Sequence, residues 1–141
     1  MLLYVFIISL VALLFAAYLA WDVLKRDTGT PAMQNIANAI REGANAFLKR
    51  QYKTIAILAV VVAVLIFGVY AFLGKWDYAI KTAFAFVVGA VCSALSGLIG
   101  MYISVRANIR TASAARTSTA EALKVAIRGG AVSGVIVVAL S

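Results

Sequence analysis

Four long apolar segments divide this chain, and they restrict the folds that it can adopt. They occupy approximately residues 2–24, 54–73, 82–105 and 125–141. Each of the first three reaches about 20 residues, the length at which an α-helix crosses about 30 Å of hydrocarbon. No Lys, Arg or Glu interrupts their cores, and Asp22 lies at an end of the first. Barrel strands would be shorter and alternating, so the segments predict an all-α polytopic transmembrane helix bundle.

The fourth segment stays apolar to the last residue and has no closing charge. Only thirteen residues follow Arg128, the last charged side chain, whereas a span needs roughly 20. We therefore expect residues 125–141 to be a truncated span. The chain is then the N-terminal four-helix piece of a larger membrane protein, with residues 1–141 forming one transmembrane region.

Composition supports a membrane location and excludes several kinds of site. Hydrophobic residues make up 65% of the chain and charged residues 13%, well below the ~25% charged residues of soluble domains. The net charge is +8, and the Lys and Arg residues that produce it lie in the connections between apolar segments. This distribution is typical of membrane topology and argues against nucleic-acid binding. The single cysteine, Cys92, gives no disulfide framework, and the absence of histidine excludes His-ligated metals.

The distribution of Lys and Arg predicts the orientation in the membrane. The first connection and its flanks hold six basic residues, the second two and the third five. By the positive-inside rule the first and third connections are cytoplasmic, and the N-terminus is outside. No basic residue precedes Lys25, so the first segment lacks the charged start of a signal peptide and is expected to be retained. Trp76 and Tyr78 suit the outer headgroup region.

The first connection contains a predicted amphipathic helix over residues 31–53. Thr30 is a good N-cap, and Pro31 suits the first helical position. Apolar residues recur at helical spacing at Met33, Ile36, Ile40, Ala44, Phe47 and Leu48. This helix either lies on the membrane or continues unbroken into the second span. Packing on its own protein is favoured over a lipid or partner surface.

Small residues at a spacing of four predict close helix packing in the third and fourth spans. The lines are Gly89, Ser93, Gly97 and Met101; Cys92, Ser96, Gly100 and Ser104; and Ala126, Gly130 and Gly134. We expect a neighbouring backbone to come closest at Gly97, and these two spans to face protein. The bulky second span is expected to face lipid.

No arrangement of residues predicts catalytic, cofactor-binding or metal-binding chemistry in this chain. The five acids are scattered at Asp22, Asp27, Glu42, Asp77 and Glu121, and no pair has a spacing suited to a shared metal ion or to acid–base catalysis. Arg106, Arg110 and Arg116 could attract an anionic substrate. Topogenic and lipid-headgroup roles explain them equally well and are favoured.

Three stretches resemble the membrane-integral inorganic pyrophosphatases. The run GTPAMQNIANAIREGANAFLKRQYKTI at 29–55 is similar to the first cytoplasmic connection of that family. The run GAVCSALSGLIGMYISVRANIRTASAA at 89–115 is similar to its third span, and ALKVAIRGGAVSG at 122–134 to the entry of its fourth. The order and spacing of the three stretches also match.

This resemblance implies a homodimeric, sixteen-span ion pump in a prokaryotic cell membrane. Such a pump hydrolyses pyrophosphate on the cytoplasmic side with Mg²⁺ and moves protons or sodium ions outward; K⁺ is possible as a further cofactor. The family's catalytic and gate residues match no position here, so this piece alone is expected to be inactive. The alternative is a stand-alone small membrane scaffold or assembly protein without catalysis.

Overall fold

The computed structural model describes residues 2–140, which form four α-helices and, within that range, no strand. The helices are α1 (Leu2–Leu24), α2 (Pro31–Phe72), α3 (Trp76–Ala115) and α4 (Thr119–Leu140). Each is long and apolar enough to cross a membrane. The predicted all-α membrane helix bundle is therefore confirmed.

The second helix joins the amphipathic stretch to the apolar segment without a break. Thr30 caps it through a hydrogen bond that Oγ1 accepts from the Met33 amide at 3.4 Å, and Pro31 is its first residue. The 42 residues of α2 give a rod about 63 Å long. Of the two arrangements left open by the sequence, the structure contains the continuous helix. The chain then reverses through Gly74, whose φ of 72° places it in the left-handed region.

The helices do not pack in the order of the sequence. α2 packs against α3, α3 against α4, and α4 against α1, which also touches α3. Over the described residues α1 and α2 make no packing contact although they are consecutive. α3 is therefore the central helix, with α2 on one side and the α1–α4 pair on the other.

The core is small and lies where α1, α3 and α4 meet. One buried cluster contains Ala16, Leu19, Ile103, Val132 and Ile136, and a second contains Val23, Ala107 and Val125. α2 buries only Ala37, and large apolar side chains cover the outside of all four helices. A surface of this kind is stable in a bilayer, where hydrocarbon replaces water around it.

On α3 the close helix contact uses one of the two predicted small-residue lines, but not the line that contains Gly97. A Cβ on Gly97 would meet the side-chain tip of Tyr52 rather than a backbone, and Gly89 faces open space. The tight contact of α3 instead uses Gly100, where an added Cβ would lie 3.2 Å from Ser133 Oγ on α4. The expectation for Gly97 was wrong, and the parallel line containing Gly100 makes the close approach.

On α4, too, the predicted line of small residues does not make the close contact. Gly130 and Gly134 have open space around them, whereas a Cβ on Gly129 would lie only 2.7 Å from the Cβ of Ala107. Gly129 and Ser133 also have a spacing of four, and they lie about 100° around the helix from the predicted line. Val125 and Val132 are both fully buried and lie on the same side of α4 as Gly129. This side of α4 therefore faces the core.

Candidate functional site

Polar side chains gather at one end of the bundle, where α1 and α3 end and α2 and α4 begin. Because successive helices run in opposite directions, these four termini come together although they are far apart in sequence. We call this group the end network; its members are Asp22, Arg26, Asp27, Arg110, Ser113, Glu121 and Arg128.

Asp22 is the centre of the ion pairs that join α1 to α4. Its Oδ2 accepts a short hydrogen bond from Arg128 Nη1 on α4 and a longer one, 3.4 Å, from Arg26 Nη2. Arg26 in turn donates from Nη1 to Glu121 Oε2 at 3.1 Å. The side chains of Asp22 and Arg128 are 23% and 31% exposed, so water screens their attraction less than on an open surface.

Arg110 fastens the end of α1 to α3. Its Nε and Nη2 donate to the carbonyl oxygen of Leu24 at 3.2 and 2.8 Å. The last carbonyls of a helix have no partner within the helix and carry partial negative charge. A guanidinium from a neighbouring helix supplies both the donor and the compensating charge, since α1 has no basic residue in its own last turn.

Asp27 fixes the connection between α1 and α2. Its Oδ2 accepts hydrogen bonds from Ser113 Oγ at 2.6 Å and from the Gly29 amide at 2.9 Å. These donors, Ser113 first, lower the pKa of the Asp27 carboxyl below its usual value because they stabilise the ionised form. Gly29 has a φ of +72°, and a Cβ there would lie 2.8 Å from Met33 Sδ, so the tight passage requires glycine.

Four of the five acids in the described residues are held by donors of the same chain. Asp22, Asp27 and Glu121 are bound within the end network, and Asp77 pairs with Lys81 at 2.7 Å. Within residues 2–140 no three His, Cys, Asp or Glu side chains converge on a position for a metal ion. The residues that the structure describes therefore do not fit Mg²⁺, and the end network serves to hold the helices together.

The three arginines singled out from the sequence have separate surroundings. Arg106 lies over the Tyr102 ring, 3.4 Å from its centroid, and Arg110 binds the end of α1. Arg116 follows the last residue of α3 as its C-cap. Sequence reasoning missed the Asp22–Arg128 pair because its members are 106 positions apart; the spacing of four between Asp22 and Arg26 was its only local signal.

Four long apolar helices, with α1 and α4 joined by ion pairs at one end, define a multi-pass integral membrane protein. Residues 10–141 match the sequence model of a known protein family, the inorganic H⁺ pyrophosphatases. The chain belongs to this family.

Similar proteins come from bacteria, archaea and plants. The chain is 57% identical over 133 residues to the K(+)-insensitive pyrophosphate-energized proton pump 2 of Moorella thermoacetica, a match that covers 94% of this chain and 18% of that protein. It is 49% identical to the K(+)-insensitive pyrophosphate-energized proton pump of Methanosarcina mazei, over 94% of this chain and 19% of the relative. It is 40% identical to the pyrophosphate-energized membrane proton pump 3 of Arabidopsis thaliana, over 98% and 19% respectively. The chain thus spans less than a fifth of each relative.

Proposed function

We propose that this chain is the N-terminal part of a pump that hydrolyses inorganic pyrophosphate on the cytoplasmic side and moves protons across the membrane. The observation that carries the proposal is the family match, which extends over residues 10–141. The names of the relatives specify pyrophosphate as the energy source and protons as the ion, which favours protons over sodium. We further propose a prokaryotic cell membrane and a homodimeric pump, as the resemblance in sequence implies.

We propose that the reacting groups lie elsewhere in the full-length protein. Mg²⁺ would neutralise charge on the pyrophosphate and its leaving phosphate, and carboxylates outside the described residues would hold it. Since two relatives are K(+)-insensitive by name, we propose that K⁺ is not required. The role of the present chain is then to support the catalytic part by its packing.

We propose that the end network faces the cytoplasm and that the N-terminus is outside. The connections with six and five basic residues both lead to the end of the bundle that carries the network, because Arg26 and Asp27 contact Glu121 and Ser113 there. Eleven of the thirteen basic residues thus belong to one side, and positive charge favours the cytoplasmic side.

Thiol labelling tests this orientation. In a Cys92→Ala background, Asp77→Cys should react with an impermeant maleimide added to intact cells. Asn38→Cys should react only after permeabilisation, because it lies on the amphipathic part of α2 beyond the apolar segment. Reversed labelling of the two positions would contradict the proposed topology.

Hydrolysis and transport assays test the function itself. The full-length protein should release phosphate from pyrophosphate in the presence of Mg²⁺ and acidify inverted vesicles, and added K⁺ should change neither rate. Residues 1–141 alone should release no phosphate above buffer. A full-length protein that folds but neither hydrolyses pyrophosphate nor moves protons would favour the scaffold alternative.

A further inference from the structure

A groove of about 510 Å³ lies between α2 and α3, on the side of α3 away from the ion pairs of the end network. Its wall is apolar and includes Leu98, Ile99 and Ile103 of α3 and Leu48 of α2. Two guanidinium groups, those of Arg41 and Arg106, complete it. No acidic side chain is among the described residues that line it, and Asn45 and Tyr102 are the uncharged polar residues of the lining. The groove therefore carries positive charge beside a largely apolar wall.

The two arginines form no ion pair with a carboxylate of residues 2–140. Arg106 is held in place by the Tyr102 ring and by a 3.3 Å hydrogen bond that it donates to the Tyr102 carbonyl. Two cations beside an apolar wall favour an anion between them, since charge next to a low-dielectric surface is costly without a partner.

Neighbouring residues indicate the depth of the groove in the membrane. On α3, residues 82–105 carry no charge, and Arg106 is the first charged residue after Lys81. One turn beyond it, Arg110 binds the end of α1. Trp21 near that end is 59% exposed, as in an interfacial aromatic belt. Arg106 therefore lies at headgroup level. Leu98 lies about 12 Å deeper, on the hydrocarbon side.

We infer that this groove binds an anionic phospholipid. The phosphate lies between Arg41 and Arg106, and an acyl chain follows Leu98 and Ile103 toward the centre of the bilayer. The two arginines lie at one end of the groove, and its apolar wall extends from them along one axis. This arrangement suits an amphiphile better than a free anion or a uniformly polar peptide segment. Basic pockets between transmembrane helices at the cytoplasmic face are suited to acidic headgroups.

Lipid retention by the full-length protein, purified from its own membrane and delipidated in mild detergent, tests this inference. Native mass spectrometry should show more phosphatidylglycerol than phosphatidylcholine retained at equal added concentration. Arg41→Gln and Arg106→Gln should each weaken phosphatidylglycerol binding by about fivefold, as expected for one basic residue near an acidic surface. The matched control is Arg50→Gln on α2, which does not line the groove and should bind as the unmodified protein does.

Equal retention by the unmodified protein and both groove variants, with melting temperatures showing all three folded, would overturn the inference. A second measurement identifies the occupant directly. A photoreactive phenylalanine at Ala44, which lines the groove, should give lipid adducts in native membranes. Adducts with peptides only would show that protein fills the groove, and stabilisation by inorganic phosphate equal to that by phosphatidylglycerol would show a free-anion site. Either result would contradict a lipid site.

Discussion

Replacing Gly129 with alanine should destabilise the α3–α4 contact by about 1–3 kcal/mol, the usual cost of overpacking. The added Cβ would lie 2.7 Å from the Cβ of Ala107, which is 4% exposed and packs in a buried cluster with Val23 and Val125. Neither methyl group can rotate away, so the helices themselves must separate. The effect should appear as a lower melting temperature of the full-length protein in detergent and a lower yield of folded protein.

The adjacent glycine provides a matched control for this prediction. Gly130→Ala adds the same atom where nothing lies within 4 Å, so it should cause no loss of stability. The double variant Gly129→Ala/Ala107→Gly should recover most of the loss, because it moves the methyl group from one helix to the other. Equal melting temperatures for Gly129→Ala and Gly130→Ala would contradict the close approach at Gly129.

Replacing Asp22 with asparagine should cost about 1.5–3 kcal/mol, the contribution typical of hydrogen bonds to charged groups. The change removes the carboxylate shared by Arg128 and Arg26 and leaves two guanidinium groups without their central anion. Because Arg128 is on α4, the loss should loosen α1 from α4. Chemical or thermal unfolding of the full-length protein would measure it, and the proposed pyrophosphate hydrolysis, per folded molecule, should change little.

Asp77→Asn is the corresponding control at the other end of the bundle. Asp77 pairs with Lys81 at 2.7 Å, but both side chains are 72% exposed, and such surface pairs contribute only about 0–1 kcal/mol. If Asp22→Asn were as mild as Asp77→Asn, the end network would not be what joins α1 to α4.

The elements of the fold could be predicted from the sequence, but their contacts could not. Segment length and apolar composition identified four helices, and Thr30-Pro31 gave the start of α2, because these signals are local. Which line of small residues packs depends on the rotation of each helix, and adjacent lines of spacing four on one helix have the same pattern. The sequence therefore could not distinguish Gly100 from Gly97 on α3, or Gly129 from Gly130 on α4. The glycine that we predicted was the wrong one on both helices.

The end network was beyond prediction for a different reason. The bonds that join different helices in this network connect residues 86 to 106 positions apart, as in Arg110 to Leu24 and Arg128 to Asp22. Each residue looks like an ordinary charge at the edge of a span when it is considered alone. Only the packing order, in which α4 and α3 enclose the end of α1, brings them together.

The unbroken course of α2 has a mechanical consequence. An α-helix resists bending unless proline, a bulge or an inserted group interrupts its hydrogen bonds, and between Pro31 and Phe72 the structure shows one helix whose only proline is at its start. We therefore expect a sideways force on residues 31–53 to tilt α2 as a whole rather than to bend it at the membrane surface. The turn at Gly74 is the nearest point at which the chain changes direction. Motion of the amphipathic segment would then reach the other end of the helix, on the far side of the bilayer.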